Sequence, residues 1–299
     1  MDKSIFATAT ITNKSENQDG TGKKSTDLLN SVFVTDGLGA CKYARKASVS
    51  VIETLQEEIN NIENISCLSL EKIFRKAKDG LINLSEKEKT EEDKSVENLF
   101  ETTAIALVET EKTIKTGYVG NGAIFHIRGN FNEFPAAYPF PWNAVNLLNP
   151  HSVSENGKEA LCRLISDYPK DYNESIPTVL EIEKDNQQGD IFMICTDGIY
   201  SEDQRYFGTN NKGIWVKYEK TMQKFFEHLK QFFEENSEYT NEILDTALNL
   251  YLQEVKPELD DDASLGVLIT GKTIEYQKNK QQQNVNENDT DNQVQEQSS

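Results

Sequence analysis

Val32-Phe33-Val34-Thr35-Asp36-Gly37, Ile191-Phe192-Met193-Ile194-Cys195-Thr196-Asp197-Gly198 and Asp260-Asp261-Asp262-Ala263-Ser264-Leu265-Gly266-Val267 decide how this chain is read. In each, a short apolar run flanked by turn residues has the pattern of a buried strand, and an aspartate stands at its edge. Carboxylates packed together repel by about 4 kcal/mol per pair at 4 Å and an effective dielectric of 20, so their convergence calls for a cation. Oxygen-only ligands select Mg²⁺ or Mn²⁺ over zinc. A strand starting at Asp261 and antiparallel to strands ending at Asp36 and Asp197 would bring all three to one sheet edge.

Working outward, Ile5 to Ile11 alternates as a first strand, followed by a polar loop over residues 13–20 and a strand from Ser31 to Thr35. Val51 or Ile52, Leu55, Ile59 and Ile62 recur at helical spacing, as do Leu70, Ile73, Phe74, Ala77 and Leu81, which predicts two successive amphipathic helices. Residues 85–98 read as an exposed loop or frayed helix end. Thr103–Glu109, Ile114–Val119 and Ala123–Arg128 read as an antiparallel meander, with Asn121-Gly122 as one tight turn. Prolines interrupt residues 129–188, where only Lys158 to Ile165 looks helical. A strand at Ile191–Thr196, helices at Thr221–Phe233 and Asn241–Val255, and a strand at Ser264–Thr270 complete an order that fits an α+β sandwich better than a parallel βαβ sheet. The Gln-, Asn- and acid-rich segment 273–299 is expected to be a disordered polar tail.

A chain of 299 residues buries roughly 75% of its unfolded surface and needs no disulfides to hold a core. Its formal charge of -19 argues against nucleic acid and anionic membrane as partners. Cys41, Cys67, Cys162 and Cys195 lack C-x-x-C spacing, which argues for reduced thiols. With no signal-like segment after Met1 and no apolar run of about 18 residues, a soluble, cytoplasmic protein is expected.

Each motif has a plainer reading. Asp-Gly alone is a common hairpin turn, but Asp36-Gly37 runs into Leu38-Gly39-Ala40-Cys41, small and helix-prone rather than a returning strand. Asp260-Asp261-Asp262 alone reads as an acidic loop; the apolar strand behind it shifts that reading. His126, His151 and His228 are not assigned to a site. Phe131, Phe134, Tyr138, Phe140 and Trp142 either line a substrate flap or pack a loop onto the core.

Taken in order, the motifs resemble the metal-dependent serine/threonine protein phosphatases of type 2C, the PPM family, in their bacterial form. Glu16-Asn17-Gln18-Asp19 is similar to the family's first acidic motif, Asp36-Gly37-Leu38-Gly39 to its Asp-Gly-x-Gly and Thr102-Thr103 to its paired threonines. Val119-Gly120-Asn121-Gly122 is similar to its Val-Gly-Asp-Ser, Asp197-Gly198-Ile199 to its Asp-Gly-Leu/Ile and Asp261-Asp262-Ala263-Ser264 to its Asp-Asn-x-Thr. The resemblance implies a four-layer α-β-β-α sandwich of two antiparallel sheets flanked by helix pairs, as a domain over residues 1–272. It also implies two Mn²⁺ or Mg²⁺ ions: Asp36 bridges both, Asp197 and Asp261 complete one, and the Gly37 carbonyl with Asp19 holds the other. Such ions activate a water and neutralise phosphoryl oxygens during in-line attack on phosphoserine or phosphothreonine in proteins, with a cognate serine/threonine kinase as the natural counterpart.

Three residues depart from that pattern. Lys14 stands where the family has a phosphate-gripping arginine, and supplies a point charge without the bidentate fork. Asn121 and Ser201 replace aspartates, which argues against a third metal site. These departures keep open a rival reading, a catalytically weak or inactive phosphatase-like module that binds a kinase or another protein.

Overall fold

The computed structural model describes residues 3–93, 96, 98–129, 141, 143–155, 158–168, 174–200, 206–209, 215–218 and 220–296. The chain opens with strands β1 (Ile5–Ile11), β2 (Asp19–Ser25) and β3 (Asn30–Asp36), then helices α1 (Ala44–Asn60) and α2 (Leu70–Glu88). Strands β4 (Glu101–Thr102), β5 (Ala104–Glu109), β6 (Thr113–Val119), β7 (Ala123–Arg128) and β8 (Ala144–Asn146) follow. Next come β9 (Ser152–Glu155), β10 (Lys158–Leu161), β11 (Ile165–Ser166), β12 (Thr178–Glu183) and β13 (Asp190–Cys195). The hairpin β14 (Tyr206–Thr209) and β15 (Trp215–Tyr218) precedes α3 (Lys220–Glu235), α4 (Asn241–Val255), β16 (Ala263–Ile269) and α5 (Gly271–Glu296).

Two five-stranded antiparallel sheets form the centre, in the orders β1-β16-β13-β7-β8 and β12-β6-β5-β3-β2. Alternation builds the layers. In β16, Leu265, Val267 and Ile269 face Phe225, Leu248 and the rest of the α3/α4 layer, while Leu268 joins Val32, Ile105 and Phe192 between the sheets. The other sheet sends Phe33, Ala104 and Ala106 outward against Val51, Leu55 and Phe74 of α1 and α2. The result is the expected α-β-β-α sandwich, with helix pairs flanking both sheets. Side-chain caps start two of the helices, Ser69 accepting from Lys72 N (3.4 Å) and Thr240 from Ile243 N (3.3 Å). Among the described residues no helix is long and apolar enough to cross a membrane, and the four cysteines are free.

Several local expectations differ from the structure. β16 begins at Ala263 and pairs with β13 and β1, whereas β3 lies in the facing sheet and meets it by packing. β6 and β7 are not a hairpin either, because β6 pairs with β5 and β12, and β7 with β13 and β8. The Gly120–Gly122 segment crosses between sheets, with φ of +103° at Gly122 and a hypothetical Cβ there only 2.3 Å from the Cys195 carbonyl oxygen. β2 overlaps the expected 13–20 loop only at its first two residues and lacks an apolar stripe, because Gly20 and Gly22 lie beneath Ile52 of α1. The helix expected over Lys158–Ile165 is instead β10 and the start of β11. β12 also went unread, its strand character coming from its ladder to β6.

Over the segment expected as a polar tail from residue 273, the structure has helix α5 from Gly271 to Glu296. Ile274 is buried, Gln277 Nε2 donates to Gly129 O (2.6 Å) and Gln281 Nε2 donates to Phe233 O (2.5 Å). Gln, Glu and Lys are good helix formers, and a composition averaged over the segment conceals the few residues that dock its first turns. The aromatic cluster at Phe131–Trp142 and Ser201 lie outside the described residues.

Candidate active site

Because antiparallel neighbours end where their partners begin, one edge of the sandwich collects the end of β3, the start of β2, the end of β13 and the start of β16. Asp19 and Asp36 are direct cross-strand partners in the β2–β3 ladder. Like charges facing each other there are destabilising. Asp19 is 1% exposed; Thr196 Oγ1 donates to its Oδ2 (2.7 Å), while among the described residues its buried Oδ1 has no hydrogen-bond partner. Burial pushes the Asp19 carboxyl up to about 7, the hydrogen bond from Thr196 opposing the rise and the Asp197 charge adding to it. Asp36 is driven well above the ordinary carboxylate range by burial and by the charges of Asp19, Asp197 and Asp261.

The backbone around Asp36 is fixed from β4. Thr103 N (2.8 Å) and Thr102 Oγ1 (2.9 Å) both donate to the Asp36 carbonyl, and Asp36 N donates to Thr103 Oγ1 (3.1 Å). Gly37 bridges to Thr102 and donates its N–H to Gln18 O (3.2 Å). A Cβ at Gly37 would stand 2.3 Å from the Ala44 carbonyl oxygen, so glycine lets the strand end pass under the first turn of α1.

The other two acids have protein partners. Asn121 Nδ2 donates to Asp197 Oδ2 (2.9 Å), and Lys14 Nζ forms an ion pair with Asp261 Oδ1. Lys14 therefore reaches the site with its ammonium engaged; burial alone would lower its pKa, but Asp261, Asp262 and Asp36 raise it overall. Asp262, only 2% exposed, accepts from Gln18 N (2.7 Å) and from Thr12 Oγ1, and so ties the β1–β2 loop to β16.

Asp19, Asp36, Asp197 and Asp261 are thus close enough to perturb one another, though among the described residues no three acidic, His or Cys side chains are gathered tightly enough for one ion. Asn121 and Lys14 engage Asp197 and Asp261, yet both charges still act on Asp36. The donor set nevertheless fits a hard divalent ion, since it is all carboxylate and includes a buried oxygen with no hydrogen-bond partner. Asp197, Asp261, Asp260 and Asn121 line a cleft of about 890 Å³ that also takes in Glu101, Glu174 and residues 160–164. Sequence reasoning missed Thr196, the donor to Asp19, although it stands directly before Asp197. It also missed Arg163 in the cleft wall, which no motif marks.

The protein phosphatase 2C family model matches residues 7–253, and the chain belongs to that family. A serine/threonine phosphatase from S. agalactiae superposes with a TM-score of 0.60 at 13% identity, covering 89% of this chain and 99% of that one. Stp1 from Staphylococcus aureus gives 0.56 at 15% identity, with 90% and 95% covered. The catalytic domain of PstP in complex with two manganese ions gives 0.53 at 13%, with 90% and 100% covered. At these identities the likeness is one of fold. No curated protein matches the sequence significantly.

Proposed function

We propose that the protein is a metal-dependent phosphatase that hydrolyses phosphoserine and phosphothreonine in proteins, with water as nucleophile and no covalent enzyme intermediate. The observation that carries this reading is the facing pair of buried Asp19 and half-buried Asp36, mutually repelling and with one orphaned oxygen on Asp19, at the edge that also holds Asp197 and Asp261. Family membership and the manganese in PstP support Mn²⁺ or Mg²⁺ as the cation. Two ions would be held by Asp36, Asp197 and Asp261 and by Asp19 with the Gly37 carbonyl; Asn121 argues against a third. When bound, the ions supply an activated water and neutralise the phosphoryl charge. Asp36 would help to hold them from a backbone that Thr102 and Thr103 fix, and Thr196 orients Asp19. Lys14 reaches the same edge with its ammonium paired to Asp261, so it offsets carboxylate charge there. Free cysteines suit a reducing, cytoplasmic setting.

The test is hydrolysis of a phosphothreonine peptide with Mn²⁺, with and without chelator, in the wild type and Asp36→Asn. Metal-dependent turnover that the variant loses is the expected result. A second reading, a regulatory module that binds a kinase or other protein, draws on the Lys14–Asp261 and Asn121–Asp197 contacts, which satisfy two acids without a metal. A folded protein that binds Mn²⁺ yet turns over nothing would favour it.

A further inference from the structure

We infer that Arg163 binds the phosphoryl group of the substrate, from the cleft wall formed by residues 160–164. This rests on the phosphatase reading and assigns its phosphate grip to a residue outside the family-like motifs.

The cleft has a charge problem. Glu101, Glu174, Asp197, Asp260 and Asp261 line it, and among the described residues Arg163 is the one basic side chain of its lining. A phosphomonoester dianion entering such a cleft meets repulsion that metal ions at Asp36, Asp197 and Asp261 offset only at their own end. Lys14 is poorly placed to supply the remainder, because its ammonium is paired with Asp261 and lies 4.0 Å from Asp262. Arg163 is exposed and, among the described residues, forms no ion pair or hydrogen bond through its guanidinium, even with five carboxylates on the same cleft. A guanidinium left unneutralised there offers the planar, two-pronged donor set that matches phosphate oxygens, which an ammonium lacks.

The backbone carrying it is anchored on both sides. Cys162 N donates to His151 O (2.9 Å), and the Leu164 carbonyl accepts from Ser175 Oγ (2.8 Å). Two residues on, Ile165 pairs with Thr102, whose hydroxyl donates to the Asp36 carbonyl, so the wall is tied to the backbone of the central aspartate. The positive field of Arg163 also reaches His151, whose pKa is lowered by burial first and by Arg163 second. An arginine present only for solubility has no reason to be held this way at the mouth of an acidic cleft.

The experiment compares wild type, Arg163→Ala and Arg163→Lys with Mn²⁺, measuring kcat and KM for a phosphothreonine peptide, inhibition by inorganic phosphate, and Mn²⁺ affinity by calorimetry. For Arg163→Ala, KM should rise on the order of tenfold to a hundredfold with kcat nearly unchanged, as for a lost charge-assisted hydrogen bond made equally in ground and transition states. Phosphate inhibition should weaken in parallel, Arg163→Lys should recover part of both, and Mn²⁺ affinity should stay at the wild-type value. An active wild type with unchanged KM and phosphate inhibition in Arg163→Ala overturns the assignment and leaves the phosphatase reading standing. Losses that follow weakened Mn²⁺ binding in both variants overturn it too, and a wild type that binds Mn²⁺ without turnover removes both readings.

Discussion

Strand β13 starts at Asp190 and runs out two residues before Asp197, and the two aspartates have opposite surroundings. Asp190, fully buried, accepts from His126 Nε2 (2.7 Å), Arg128 NH1 (2.5 Å) and Asp185 N (2.6 Å). At the same end of the sandwich Glu109 accepts from Ser4 Oγ (2.7 Å), Asn30 Nδ2 (2.8 Å) and Lys184 Nζ (2.8 Å). At the far end, Asp19 keeps an orphaned oxygen opposite Asp36, and Asp197 and Asp261 add to the repulsion. Buried carboxylates with donors hold a fold together, whereas buried carboxylates without them store a demand for a cation. One end of the sandwich is therefore built for stability, and the other is the end proposed to bind metal.

The largest effect that would break this contrast is on turnover. Asp36→Asn and Asp197→Asn should each lower Mn²⁺-dependent phosphopeptide hydrolysis by about a thousandfold or more, while Asp190→Asn should leave kcat within about threefold. Equal losses at the two ends, in steady-state assays of folded protein, would erase the distinction. Stability should move with opposite signs. Asp190→Ala is expected to cost about 2–3 kcal/mol in denaturant unfolding, because it strips Arg128 and His126 of their buried acceptor. Asp36→Asn should instead stabilise the metal-free protein by about 1 kcal/mol, the usual sign when a strained functional group is relaxed.

The pH dependence of the metal-free protein sharpens the same point. Asp19, raised to about 7 when folded, binds more protons in the native than in the unfolded state. Its contribution to stability is therefore present below the unfolded carboxylate value of about 3.9 and lost as pH rises toward 7. Asp36 shifts in the same direction. Thermal midpoints without metal should fall across that window, and Mn²⁺ at about a hundred times its Kd should restore about 2.7 kcal/mol at neutral pH. A flat profile, or no response to Mn²⁺, would contradict the stored repulsion. The smallest expected effect is that of Lys14→Ala, at under about 1 kcal/mol, since both partners of its ion pair are substantially exposed.

Much of this was legible in the chain. The apolar stripes of α1, α2 and α4 and the buried runs of β1, β3, β13 and β16 carry their own periodicity. Asp36, Asp197 and Asp261 stand beside such runs, so these candidate site residues could be picked out with them. β2 and β12 could not be read the same way, because a Gly-Lys-Ser strand under a helix and a half-exposed edge strand depend on their partners for strand character. The Asn121-Gly122 crossing shows a related limit: the same glycine-containing step serves a hairpin or a change of sheet, and only packing chooses between them. Arg163 had no local signature, since its place on the cleft comes from β11 pairing with β4 across more than sixty residues.

By itself the sequence determined the alternation of buried strands and amphipathic helices, the α+β class, and the aspartates at strand edges, because each is a local pattern of burial and charge. Only the tertiary structure decided that Asp19 faces Asp36, that Lys14 and Asn121 occupy Asp261 and Asp197, that α5 docks through Ile274 and Gln277, and that Arg163 lines the acidic cleft. Those facts depend on which strands pair and which sheets face each other, and contacts between residues far apart in the chain leave no periodic trace within any one segment.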